Sequence, residues 1–96
     1  MFVLYCIDRP DAEKLRADLR TPHIKYLEGE VDKIALIGPT LSEAGEPNGM
    51  VVILNVAKRA EAEAFLANEP FVVGGLFIST DIRPWRGAMG AWLPKK

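Results

Sequence analysis

The chain opens on an unbroken apolar run, Phe2-Val3-Leu4-Tyr5-Cys6-Ile7, whose aromatic and β-branched content predicts a first strand. Asp8-Arg9-Pro10-Asp11 closes it, and Pro10 suits the first turn of a helix. In that helix Ala12, Leu15 and Leu19 recur at helical spacing. The same i, i+4 row runs through His23 to Leu27, which sets His23 on the inward stripe. Thr21-Pro22 reads as an N-cap followed by proline at N1, so the pattern predicts one break there and a second short helix with His23 in its first turn. Ile34-Ala35-Leu36-Ile37 predicts a second strand, ended by Gly38-Pro39. The stretch Thr40 to Gly49, with Ser42, Gly45, Pro47 and Asn48, predicts a loop able to cover a site. Met50 to Val56 predicts a third strand, and Ala57 to Ala67, rich in Ala and Glu, a second major helix. Glu69-Pro70 restarts the chain for about one turn, and Gly74-Gly75 releases it into a fourth strand, Leu76 to Ile82. A tail running from Arg83 through Pro94 carries both tryptophans, Trp85 and Trp92.

The order β-α-β-β-α-β is the ferredoxin-like plan of the α+β class, in which helices cover one face of a four-stranded antiparallel sheet and leave the other open. A monomer built this way should alternate apolar and polar residues along its strands. These strands do not: Phe2 to Ile7 and Val51-Val52-Ile53-Leu54 are apolar on both faces. The 96 residues read as one domain, 1–96, and leave too little chain to cover a second face. A second copy is the expected cover, giving a homodimer or a larger assembly of the same chain.

Charge narrows the partners. Twelve Lys and Arg against thirteen Asp and Glu give a formal charge of −1, with neither sign in a long block. That argues against nucleic acid or an anionic membrane as principal partner, both of which favour a concentrated basic face. The single cysteine, Cys6, rules out an intrachain disulfide and a cysteine-based zinc site, and its apolar strand makes it a small buried hydrophobe. The opening run has no basic flank and meets Asp8 after seven residues, so neither a signal peptide nor a membrane span is expected, and the cytoplasm is the expected location.

The candidate chemistry centres on His23, the only histidine. One imidazole cannot make a multi-histidine metal site, but it can be half of a proton-transferring pair near neutral pH. A helix N-terminus at Thr21-Pro22 would disfavour imidazolium and leave a neutral acceptor. Glu69 is the candidate partner, able to hydrogen-bond one ring nitrogen or to handle a proton itself. Arg20, three residues before His23, either clamps a substrate carboxylate or phenolate or is a surface charge beside Asp18. Likewise His23 is either a base or a core-edge imidazole tied to backbone, and Glu69 either a partner or a solvated helix end. Trp85 and Trp92 suit packing across a subunit interface. No phosphate-binding, hydrolase-elbow, zinc-protease or thioredoxin motif is present in the sequence.

Four features together resemble the YciI-like family over nearly the whole length. They are the apolar strand ending near Asp8, Arg20-x-x-His23 with Tyr26-Leu27, Gly38-Pro39, and Pro70-Phe71-Val72 leading through Gly75-Leu76-Phe77. The resemblance implies a ferredoxin-like domain that dimerises sheet to sheet into an α+β barrel, with a cleft holding the histidine and an acidic residue. It implies His23 and Glu69 as the catalytic pair, with Arg20, Gly38, Pro39, Pro70, Phe71 and Gly75 as substrate-binding positions and no metal site. The family pattern usually has Asp before the proline; here stands Glu69, longer by one C–C bond, ~1.5 Å. Some members resemble dehydrochlorinases of chlorinated hydroxyquinols, and the fold is shared with muconolactone isomerases. The expectation is a cofactor-free lyase or isomerase acting on a small aromatic or ring-cleavage metabolite. The alternative is a non-catalytic dimeric protein that binds a small ligand or serves as an accessory.

Overall fold

A computed structural model describes residues 1–92. Strand β1 (Phe2–Asp8) leads to helix α1 (Glu13–Gly29), a short 3₁₀ turn (Val31–Lys33), and strands β2 (Ile34–Leu41) and β3 (Pro47–Leu54). Helices α2 (Arg59–Asn68) and α3 (Pro70–Val73) precede strand β4 (Phe77–Pro84). The four strands form one antiparallel sheet in the order β2-β3-β1-β4, so the fold is α+β with the ferredoxin-like order. The most apolar strand lies between two partners, where both its edges are hydrogen-bonded.

Alternation along the strands sorts the two faces. Phe2, Leu4 and Cys6 of β1 and Val52 and Leu54 of β3 are buried against Phe65 and Leu66 of α2 and Phe71 of α3, with Leu15, Leu19 and Leu27 of α1 packed alongside. The intervening residues point away from the helices. Val3 pairs with Ile53 and Tyr5 with Val51, while Leu36 of β2 lies opposite Ile53. Tyr5 is 46% exposed and Leu36 48%, so this second face is apolar and uncovered over β1, β3 and β2, while β4 adds the polar residues Ser79, Asp81 and Arg83 to it. The tail crosses one end of it. Trp85 donates its amide to the Met1 carbonyl at 3.0 Å, and Trp85, Met89 and Trp92 bound an apolar hollow of about 530 Å³ with Leu36 and Ile53.

Three sequence expectations are corrected. Helix α1 does not break at Thr21-Pro22; Pro22 lies inside it. Proline removes one backbone donor, and the carbonyl deprived of it, that of Asp18, belongs to an exposed residue on the wet side of the helix, where water can serve instead. His23 therefore sits mid-helix, and no helix N-terminus acts on its imidazole. Strand β2 runs past Gly38-Pro39 to Leu41, because β2 is a sheet edge and an edge strand tolerates a residue without an N–H. The expected Thr40–Gly49 loop shrinks to a tight hairpin. Ser42 donates its amide to the Glu46 carbonyl at 2.8 Å, Gly45 turns the chain at φ 88°, and Pro47 already starts β3.

Candidate active site

The site is assembled around α3, a single turn with defined ends. Glu69 is its N-cap, its Oε1 accepting the Phe71 amide at 3.2 Å, and Pro70 fills the first helical position, where its missing N–H is harmless. At the other end the Leu76 amide bonds the Phe71 carbonyl at 2.9 Å and the Gly75 amide bonds the Val72 carbonyl at 3.1 Å. Gly75 has φ 78°, so this is a Schellman stop that uses glycine for its left-handed backbone. Pro70 and Gly75 thus shape the turn, and neither lines the adjoining cavity.

What the turn presents is Glu69 and Phe71. Glu69 is completely buried, and its Oε1 lies 2.6 Å from His23 Nδ1 on α1. The Phe71 ring stacks on the imidazole, with centroids 3.7 Å apart and planes 11° from parallel. With the carboxylate as acceptor, Nδ1 carries the proton, which leaves a bare lone pair on Nε2. Among the described residues, Nε2 has no hydrogen-bond partner and is not one of the buried unpaired atoms, so it reaches open space. Among the described residues, the one buried side-chain oxygen without a partner is Glu69 Oε2.

That space is a cavity of about 490 Å³ between α1 and the β2–β3 hairpin. Of the expected residues, it is lined by His23, Arg20, Gly38, Pro39 and Phe71. Glu69 stands behind His23 rather than in the lining. Arg16, which sequence reasoning did not single out, lines it as well. Its Nε and Nη2 donate to the two oxygens of Asp8 at 2.8 and 3.0 Å, Nη2 also donates to the Gly49 carbonyl at 2.9 Å, and its cation lies 4.9 Å from the Phe71 centroid. The signal was available: Arg16, Arg20 and His23 follow i, i+4, i+7 spacing, one face of a helix. Gly49 has no room for a side chain there, since a Cβ would stand 2.5 Å from the Cys6 carbonyl oxygen. Cys6 itself is buried beneath the site. Burial, followed by the charges of Glu69 and Asp8, pushes its thiol from the usual 9.0 up to about 12, which keeps it protonated and unreactive. Among the described residues, no group of three or more His, Cys, Asp or Glu side chains is placed to hold a metal ion.

A family model, the YCII-related domain, matches residues 1–86. The chain belongs to the YCII-related family. Among solved structures, this YCII-related chain is similar to 5-chloro-2-hydroxyhydroquinone dehydrochlorinase (TftG) from Burkholderia phenoliruptrix AC1100, solved in complex with 2,5-dihydroxybenzoquinone. The two are 32% identical with a TM-score of 0.84, over 91% of this chain and 94% of that one. It also resembles the protein Atu4242 from Agrobacterium tumefaciens, at 18% identity and a TM-score of 0.54 over 92% of this chain and 94% of the other, a likeness of fold. No match is found among curated proteins.

Proposed function

We propose that this YCII-related protein is a lyase or isomerase that moves a proton on a small ring-derived phenol or acid, with His23 as the base and Glu69 as its orienting partner. The observation that carries this is the 2.6 Å contact between Glu69 and His23 Nδ1, beside a cavity with ample room for a small ring compound. A buried carboxylate on Nδ1 fixes the tautomer and stabilises the imidazolium formed when Nε2 takes a proton. Nε2 would remove the proton of a ring hydroxyl, and the O–H electron pair would become a ring carbonyl. The conjugated carbon then takes the proton back from the imidazolium, which completes an isomerisation. Where that carbon bears chlorine, a second deprotonation expels chloride, and the sum is loss of HCl. Neither branch needs an electron acceptor, so no cofactor is called for.

The likeness to TftG supports the elimination branch. The test is chloride release from 5-chloro-2-hydroxyhydroquinone, followed by ion chromatography. The wild-type chain should release chloride, and His23→Ala should lower kcat by about 10² to 10⁴, the usual cost of losing a general base. Unchanged turnover in His23→Ala would contradict the role given to His23, and binding without turnover by the wild-type chain would favour the ligand-binding reading.

We further propose that the working form is a homodimer packed sheet to sheet. Its support is the bare apolar face around Tyr5, Leu36, Val51 and Ile53, which the helices leave uncovered.

A further inference from the structure

We infer that Arg16, and not Arg20, holds a negative oxygen of the ligand in the cavity, so that the occupant is a ring compound carrying an anionic oxygen. Its part in turnover rests on the proton-transfer reading above; the anion site itself rests on geometry. Arg16 precedes His23 by seven residues on α1 and therefore shares its face. A guanidinium has five N–H donors. Three hydrogen bonds, two to Asp8 and one to the Gly49 carbonyl, engage Nε and Nη2 and lock the group in place. Nη1 bonds to none of the described residues and is not one of the buried unpaired atoms, so on a residue that lines the cavity its two hydrogens are left free for a ligand.

Phe71 fixes the spacing. Its ring centroid lies 3.7 Å from the imidazole centroid and 4.9 Å from the Arg16 cation. The base and the cation are thus no farther apart than those two distances laid end to end, a span that one ring with an oxygen substituent can bridge. Arg20 differs in kind: it is exposed and makes no hydrogen bond or ion pair among the described residues, so its long side chain would have to be ordered by the ligand. Glu13 and Glu46 also border the cavity, but both are exposed and screened by water. Asp8 offsets much of the charge of Arg16, so the oxygen is recognised through directed hydrogen bonds in a sheltered place more than through long-range attraction.

Benzoate and its neutral isostere benzamide are suitable probes. In ¹⁵N NMR of the wild-type chain, benzoate should shift the side-chain signals of Arg16 and leave those of Arg20 in place. By calorimetry, Arg16→Gln should weaken benzoate binding about tenfold or more, the loss of a charge-assisted hydrogen bond, with benzamide unaffected. Arg16→Lys should not rescue it, because one ammonium cannot satisfy Asp8, Gly49 and the ligand together. Arg20→Gln should change benzoate binding by less than about threefold. Since Arg16→Gln strands Asp8, the pair Asp8→Asn/Arg16→Gln serves as the folded control, and the wild-type NMR shifts decide the matter even if both variants unfold. Shifts at Arg20 instead of Arg16, loss of binding in Arg20→Gln alone, or equal affinity for benzoate and benzamide would overturn the inference. Chloride release measured alongside separates the two claims: benzoate held by Arg16 without turnover sinks only the proton-transfer reading, and turnover through His23 with binding indifferent to Arg16 sinks only this one.

Discussion

One oxygen of Glu69 does two jobs and the other does none. Oε1 accepts both the Phe71 amide and the His23 ring N–H, and Oε2 is buried unpaired. Both contacts depend on the reach of the glutamate side chain. Glu69→Asp pulls the carboxylate back by ~1.5 Å, so it should keep the cap or the imidazole but not both; kcat is expected to fall by about tenfold or more, even though Asp is the usual family residue. Glu69→Gln should cost much less in a His23→Ala background than alone, because groups acting as a unit are not additive. Full additivity in that cycle would show that the two residues act separately. Cys6 carries a prediction of another kind. Its thiol is raised from 9.0 to about 12, chiefly by burial, and the Tyr26 hydroxyl from 10.0 to about 12, again by burial first and then by Glu30. Both hold their protons more tightly in the folded chain, so stability is whole below pH 9 and falls as pH climbs from there towards 12. Urea midpoints measured across that range should decline, and Cys6→Ala should flatten the early part of the decline while losing about 1 kcal/mol at neutral pH to the small cavity it leaves. A midpoint unchanged through alkaline pH would contradict the burial of Cys6 and the partial burial of Tyr26.

Among the elements, α1 gives the sharpest contrast between pattern and outcome. If Pro22 began a second helix, replacing it would be neutral or harmful. It lies inside a continuous helix, so Pro22→Ala should restore a donor for the Asp18 carbonyl and raise stability by about 1–3 kcal/mol, read from urea or thermal unfolding. At the end of α3, Gly75→Ala should cost about 1–2 kcal/mol for its left-handed backbone. The strands, both major helices and the Glu69-Pro70 turn were legible because apolar periodicity and turn chemistry report them directly. The continuity of α1 and the length of β2 were not, since each depends on context: a wet face that forgives Pro22, and an edge position that forgives Pro39. His23 and Glu69 could be nominated by scarcity and by resemblance. The helical spacing puts Arg16 on the face of His23, but what sets it apart from Arg20, its bonds to Asp8 and to the Gly49 carbonyl 33 residues away along the chain, depends on the fold.

At the scale of the whole molecule, the sheet has one covered face and one bare apolar face, and that imbalance predicts association. Sedimentation equilibrium at micromolar concentration should give twice the chain mass of 10.6 kDa, with an interface above the roughly 1,000 Å² of a specific contact. A clean monomer would contradict it. Among the described residues, no helix is long and apolar enough to cross a membrane. The same fold brings together two residues 46 positions apart, His23 and Glu69, on whose contact the proposed chemistry depends. Because the chain has a single histidine, a ¹⁵N-labelled sample gives one imidazole spectrum with nothing to disentangle. Recorded at mildly alkaline pH, where an ordinary imidazole is neutral, it should show Nδ1 protonated and Nε2 bare, and Glu69→Gln should disturb that tautomer. A proton resident on Nε2, with Nδ1 bare, would mean that Glu69 does not orient His23 and that no base faces the cavity.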